Sequence, residues 1–168
     1  KMIGIAMKLE KAGADLILIC TNTMHKTAPD IEESIEVPLL HIADATAEKI
    51  KEKNMKKVGL LGTKFTMEQN FYKGRLKEKH GIDVVIPNEQ EREVVHQTIY
   101  KELISGVIKE KSRKQFKKII NNLRENGAEG VILGCTEIPL LIKNKDTDIP
   151  VFNTMMIHAK KAVAMALE

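Results

Sequence analysis

Short apolar runs recur along the chain, each followed by a longer stretch in which apolar and charged positions alternate with a helical period. The runs are Leu16 to Cys20, Leu39 to Ile42, Val58 to Leu61, Val84 to Ile86, Val131 to Leu133 and Val151-Phe152. They carry almost no polar side chains, as strands buried on both faces do. Between them, Asp44 to Lys53, Glu68 to Lys79, Glu89 to Ser105, Ser112 to Glu125 and Thr154 to Leu167 have helical patterns. Pro29 with Asp30 suits the first turn of a short helix over 29–35, and Gly81 and Gly127 stand where helix ends need a left-handed residue. This alternation predicts an α/β fold with mostly parallel sheets flanked by helices. In such folds ligands bind beyond the carboxyl ends of the strands.

An internal repeat sharpens the expectation. Gly13-Ala14-Asp15 precedes LILICTNT, and Gly127-Ala128-Glu129 precedes GVILGCTE. Each is a helix end, a buried strand and a polar turn. Counting without gaps from the two Gly-Ala pairs, Thr21 falls opposite Cys135, Asn22 opposite Thr136, and Thr23 opposite Glu137. Two such units predict two pseudo-symmetric lobes with a substrate cleft between them. The expected division places 1–52 and 150–168 in the first lobe, with 53–66 contributing at the boundary, and 67–149 in the second. The opening stretch Met2 to Lys11 reads as the end of an amphipathic helix, so a further segment is expected before it.

Composition narrows the function classes. Hydrophobic content of 43% with 30% charged residues suits a folded globular chain of 168 residues and excludes a disordered one. No apolar run approaches the roughly 18 residues of a membrane span, so no membrane partner is expected. Two cysteines make no disulfide framework, and a reducing cytoplasm is the default setting. The net charge of +4 is spread over helical lysines mixed with acids, and with four Phe, two Tyr and no Trp there is little on which bases could stack. Nucleic acid is therefore not an expected partner.

Three turns concentrate the polar chemistry. Cys135, in Gly134-Cys135-Thr136-Glu137, follows a buried strand and precedes a helical stretch at Glu137 to Ile142; unpaired amide N–H groups there should favour thiolate. Gly134 lets a ligand approach the backbone. Thr21-Asn22-Thr23, with Met24-His25 behind it, offers hydroxyls, an amide and backbone N–H groups suited to a carboxylate. Gly62-Thr63-Lys64-Phe65-Thr66 follows a third strand and places two threonines at a helix start. Taken alone it reads as helix capping.

Taken together, CTNTMHK at 20–26, PLLHIADAT at 38–46, GLLGTKFTM at 59–67 and GVILGCTEIPLLI at 130–142 resemble the aspartate/glutamate racemase family over essentially the whole chain. The resemblance implies a two-lobed α/β homodimer that moves the α-proton of a dicarboxylic amino acid without pyridoxal phosphate or metal. One cysteine on each side of the substrate serves as base or acid. It assigns Cys135 as the second-lobe catalytic cysteine, Asn22, Thr23 and Thr136 to substrate-carboxylate turns, and Thr63 and Thr66 to a threonine turn. Glu137 stands where the aspartate-type branch carries glutamate.

One departure matters. Where the family's first-lobe motif reads Cys-Asn-Thr, this chain has Thr21-Asn22-Thr23, with Cys20 one place early. Strand alternation turns Cys20 into the core and leaves Thr21 in the catalytic position. Alternatives that keep the fold are single-cysteine decarboxylation or cis–trans isomerisation; a non-catalytic binder of acidic amino acids is a third. Lys64, Lys101 and Lys109 are the cations considered for a second carboxylate, and Tyr100 a side chain near the cleft.

Overall fold

A computed structural model describes residues 1–167. The chain begins with helix α1 (Met2–Lys11), strand β1 (Ile17–Leu18), a 3₁₀ turn (Thr23–Thr27), helix α2 (Ala28–Glu32) and strand β2 (Leu39–Leu40). β1 and β2 pair in parallel, Ile17 with Leu39 and Leu18 with Leu40. Ala6, Ile17, Ile19, Ala28, Ile31 and Ile35 form the core of this first lobe.

The remaining strands form a four-stranded, all-parallel sheet in the order β4-β3-β5-β6: β3 (Lys57–Gly62), β4 (Asp83–Val85), β5 (Gly130–Gly134) and β6 (Val151–Asn153). The central pair β3 and β5 is buried on both faces, which is why their sequences are unbroken apolar runs. On one face Val58, Leu60 and Ile132 pack with α3 (Ile42–Lys51) and α5 (Asn70–His80) through Ala43, Ala47, Tyr72 and Leu76. On the other, Leu61, Val131 and Leu133 pack with α6 (Glu89–Lys101), α7 (Glu110–Glu125) and α8 (Ile138–Leu141) through Val95, Phe116, Ile120 and Leu141. Helix α9 (Thr154–Leu167) follows β6, with Ile157 against the first of these cores.

All six expected strands are present. The sheet assignment is more specific than the expected division of the chain. The strands of 53–66 and 150–168, β3 and β6, both hydrogen bond to β5 and lie in the four-stranded sheet. The expected helix over 68–79 is two elements, α4 (Lys64–Glu68) and α5, broken where Gln69 adopts extended backbone with ψ 156°.

The repeat is a repeat of geometry. Ala12, Gly13 and Ala14 close α1 with amide bonds to Lys8, Glu10 and Leu9, and Asn126, Gly127 and Ala128 close α7 with bonds to Asn122, Arg124 and Leu123. Gly13 and Gly127 both have φ of 90°, a conformation that strains any residue with a Cβ. Each closure delivers the chain into a parallel strand, β1 or β5, whose carboxyl end carries one of the two polar turns.

Polar ties hold the lobes together. Arg75 on α5 bonds both Asp44 on α3 and Glu32 on α2, and Asp44 also receives Lys79 and His80. His158 on α9 lies 2.8 Å from the Leu40 carbonyl of β2.

Candidate functional site

The carboxyl ends of β1, β3 and β5 open onto one cavity of about 580 Å³. Its polar side is formed by Thr21, Asn22, Thr23, Thr63, Thr136 and Glu137, with Cys135 and Gly134. Thus seven of the eight residues expected to form a site line one cavity. The eighth, Thr66, is fully buried behind Thr63. Phe65, Ile99, Tyr100 and Ile104 also line it and supply much of its apolar surface.

Cys20 lines the same cavity and is exposed, not core. The physical reason is the length of β1. The strand ends at Leu18, and Thr21 N–H bonds back to the Ile19 carbonyl at 2.9 Å, a three-residue turn. Alternation ceases to govern side-chain direction before Cys20 is reached, so Cys20 and Thr21 both reach the cavity.

Three hydroxyls form a closed triangle. Thr23 Oγ1 is 3.1 Å from Thr63 Oγ1 and 3.1 Å from Thr66 Oγ1, and Thr63 and Thr66 are 3.2 Å apart. Thr63 also caps α4 by accepting the Thr66 amide, so capping and clustering are served by one side chain. Thr23 crosses from the other lobe to complete the set. Three O–H groups on three edges can satisfy one another, and each can instead turn outward to an anion.

The Asn22 side chain also ties its turn to the rest of the fold. Thr154 donates its only hydroxyl hydrogen to the Leu133 carbonyl at 2.9 Å. Thr154 Oγ1 must therefore accept from Asn22 Nδ2, 3.1 Å away, which fixes the amide's orientation. One amide hydrogen thereby joins the first-lobe turn to α9, while the buried Oδ1 is left as an acceptor without a protein donor.

Cys135 donates its thiol hydrogen to Glu137 Oε2 at 2.8 Å. Burial, the Glu137 hydrogen bond and the Glu137 charge push the thiol up to about 12, although the amides of Thr136 and Glu137 act in the opposite sense. The expected thiolate is thus not the resting form. The backbone N–H groups are present as anticipated, but desolvation and the carboxylate outweigh them. For Glu137, desolvation opposes ionisation, but hydrogen bonds from Cys135 and Thr136 outweigh it and hold the carboxyl below its ordinary value.

His25 does not line this cavity. It is fully buried behind the turn, with Nδ1 2.7 Å from the Thr21 carbonyl and Nε2 accepting Ile42 N–H at 3.1 Å. Those two bonds define a neutral ring protonated at Nδ1, a strut between the Thr21 turn and the start of α3. Burial lowers its pKa to about 4 and that of adjacent His41 to about 2. The rings of His25 and His41 are 4.4 Å apart.

Of the lysines considered, Lys64 pairs with Glu93, Lys109 pairs with Glu102, and neither they nor Lys101 line the cavity. Lys26 does, and was not anticipated. The signal was present: residues three apart on a 3₁₀ turn eclipse, and Lys26 stands three beyond Thr23. Tyr100 is on the cavity wall, its ring 4.7 Å from that of His96. Among the described residues, no group of three or more His, Cys, Asp or Glu is placed to hold a metal ion, and no helix is long and apolar enough to cross a membrane.

The sequence matches the Asp/Glu/hydantoin racemase family over residues 1–162. The chain belongs to that family. The fold agrees: a crystal structure assigned as an Asp/Glu racemase from Yersinia pestis superposes with TM-score 0.95 at 52% identity, over 99% of this chain and 72% of that one. An aspartate racemase homologue from Pyrococcus horikoshii gives 0.90 at 42% identity, over 99% and 73%. A broad-specificity amino-acid racemase from Bacillus subtilis is 27% identical over 99% of this chain and 71% of its own length. The chain is accordingly an enzyme of the racemase class, an isomerase.

Proposed function

We propose that this racemase interconverts the L and D forms of aspartate, glutamate or both, by proton transfer at the α-carbon between Cys135 on one face and the Thr21 side on the other. The observation that carries the reading is the pairing of Cys135 and Thr21 at equivalent positions of the repeat, on one cavity, with a cluster of hydroxyls beside them. A weakly acidic α-proton leaves only if the charge that develops on the substrate carboxylate is stabilised, and hydroxyls with backbone amides at strand ends serve that purpose.

The resting proton inventory sets the steps. As Cys135 Sγ takes the α-proton, its own thiol proton passes to Glu137 Oε2, already in hydrogen-bond contact. No free thiolate need accumulate. The planar carbanionic intermediate then receives a proton from the Thr21 side, from its hydroxyl or from a water that it holds. After the forward step Glu137 returns its proton to solvent and the Thr21 side regains one. In the reverse direction the Thr21 side takes the α-proton and Cys135 delivers its thiol proton to the carbanion. The thiolate so formed is reprotonated from solvent, because Glu137 rests ionised. The hydroxyl of Thr21 is a far weaker acid than a thiol, so the transfer on the Thr21 side carries the higher barrier in both directions. No partner thiol is required at Thr21 for the Cys135 half of the reaction, which keeps single-cysteine proton chemistry on this fold as the second reading.

The test is incubation with L-aspartate and L-glutamate separately in heavy water, followed by proton NMR and chiral chromatography, with Cys135→Ala as control. Loss of the α-hydrogen together with D-product, both abolished in the control, is the expected result. Exchange without D-product would favour the single-cysteine reading, and no exchange with either substrate would overturn the proposal.

A further inference from the structure

We infer that Lys26 is the residue that selects a second carboxylate, and so makes the cavity specific for dicarboxylic amino acids. This rests on the racemase reading above and deepens it.

Lys26 is the one lysine or arginine on the cavity wall among the described residues, and no acidic side chain is within ion-pair distance of it. The other cations near the site are already committed, Lys64 to Glu93 and Lys109 to Glu102. Its place on the backbone aligns it with the hydroxyl cluster. In the 3₁₀ turn Thr23–Thr27, Lys26 eclipses Thr23, whose hydroxyl belongs to the triangle with Thr63 and Thr66. The step between them is about 6 Å, three residues at about 2.0 Å each. The two carboxyl carbons of aspartate or glutamate lie roughly 4–5 Å apart, three or four C–C bonds of about 1.5 Å. One carboxylate on the hydroxyls therefore leaves the other within reach of an ammonium on a flexible four-carbon stem.

Charge on the opposite side works in the same sense. Glu137, the acidic side chain on the wall, is bound to the Cys135 thiol. It repels a second carboxylate from the second-lobe side and leaves the Lys26 side as the favourable direction. A neutral side chain gains nothing from either charge.

The test compares α-hydrogen exchange of L-aspartate and L-glutamate in the parent protein, Lys26→Met and Lys26→Arg. Lys26 is exposed and makes no structural bond, so the variants are expected to fold. Lys26→Met should raise KM at least tenfold for both substrates with kcat within about threefold, and Lys26→Arg should recover most of that loss. An unchanged KM, or a fall in kcat that arginine does not rescue, would overturn the assignment while leaving the racemase reading intact. Failure of the parent protein to exchange either acid would remove both.

Discussion

Replacing Glu137 by glutamine separates two properties of Cys135 that usually move together, its reactivity and its usefulness. The thiol stands at about 12 against a usual value near 9, with burial as the largest cause and the Glu137 hydrogen bond and charge following. Three units correspond to about 4 kcal/mol of disfavour for the thiolate. At pH 8 that leaves about one molecule in ten thousand ionised, where an ordinary thiol near 9 has about one in ten. Glu137→Gln keeps the burial but removes the negative charge and turns a charge-assisted bond into a neutral one of roughly half the strength. Part of the carboxylate faces water, which screens its charge, so only a portion of the shift should be recovered. One unit is a fair expectation, or about tenfold more thiolate at pH 8.

The assay is iodoacetamide alkylation of Cys135 across pH 6–10, followed by peptide mass spectrometry in a Cys20→Ser background, because exposed Cys20 would otherwise dominate. The variant should alkylate about tenfold faster at pH 8. In the same protein α-hydrogen exchange should fall by a hundredfold or more, since the acceptor for the thiol proton is gone. A thiol no more reactive than in the parent would refute the argument that Glu137 holds the proton on sulfur. Undiminished exchange would refute the relay.

Other expectations follow from the same geometry. His25 and His41 have folded pKa values of about 4 and about 2, below their ordinary 6.5 because burial disfavours the charged ring; the stability they contribute is complete above pH 6.5 and is lost as pH falls. Each binds a proton only on unfolding between 6.5 and its folded value, so together they should cost about 2.7 kcal/mol per unit from pH 6 to 4; equal urea midpoints at pH 7.5 and 5.5 would contradict this. Thr21→Cys supplies a second thiol, and racemisation should speed up at least tenfold; an unaltered rate would separate Thr21 from proton transfer. Gly134→Ala places a Cβ 2.9 Å from the Leu61 carbonyl and 3.0 Å from Leu60 Cδ1, in the most buried part of the sheet. A loss of about 1–3 kcal/mol in urea unfolding is expected, and an unchanged midpoint would mean that the two strands separate easily.

The strands and the repeat were legible because each depends on local pattern: apolar runs for β3 and β5, and the Gly-Ala helix ends for the two closures. The site was legible to the extent that it sits at strand ends. What failed were inferences that carried a local rule past its range. Alternation placed Cys20 in the core, but β1 stops at Leu18 and a tight turn intervenes. A helix start after Cys135 promised a thiolate, yet the outcome turned on Glu137 folding back onto the sulfur, a side-chain contact that no spacing specifies. Asn22 lines the cavity as expected; what stayed illegible is its bond to Thr154, 132 positions away in the chain and beyond what local reasoning reaches.

The repeat gives both faces of the cavity the same backbone but different chemistry at each matched pair. Cys135 is matched by Thr21, and Glu137 by Thr23. In the second lobe the third residue serves the first, since Glu137 accepts the hydrogen bond of the Cys135 thiol. In the first lobe it does not: Thr23 turns to Thr63 and Thr66, and the lobe also supplies Lys26. The pseudo-symmetry is therefore kept in position and broken in role. Under the proposed mechanism one lobe mainly moves a proton, and the other mainly holds an anion and returns a proton through a weak acid. On this argument, substitutions at Glu137 should act chiefly on kcat, those at Lys26 chiefly on KM, and those at Thr23 on both. With true functional symmetry, the matched residues Glu137 and Thr23 would move the same parameter alone.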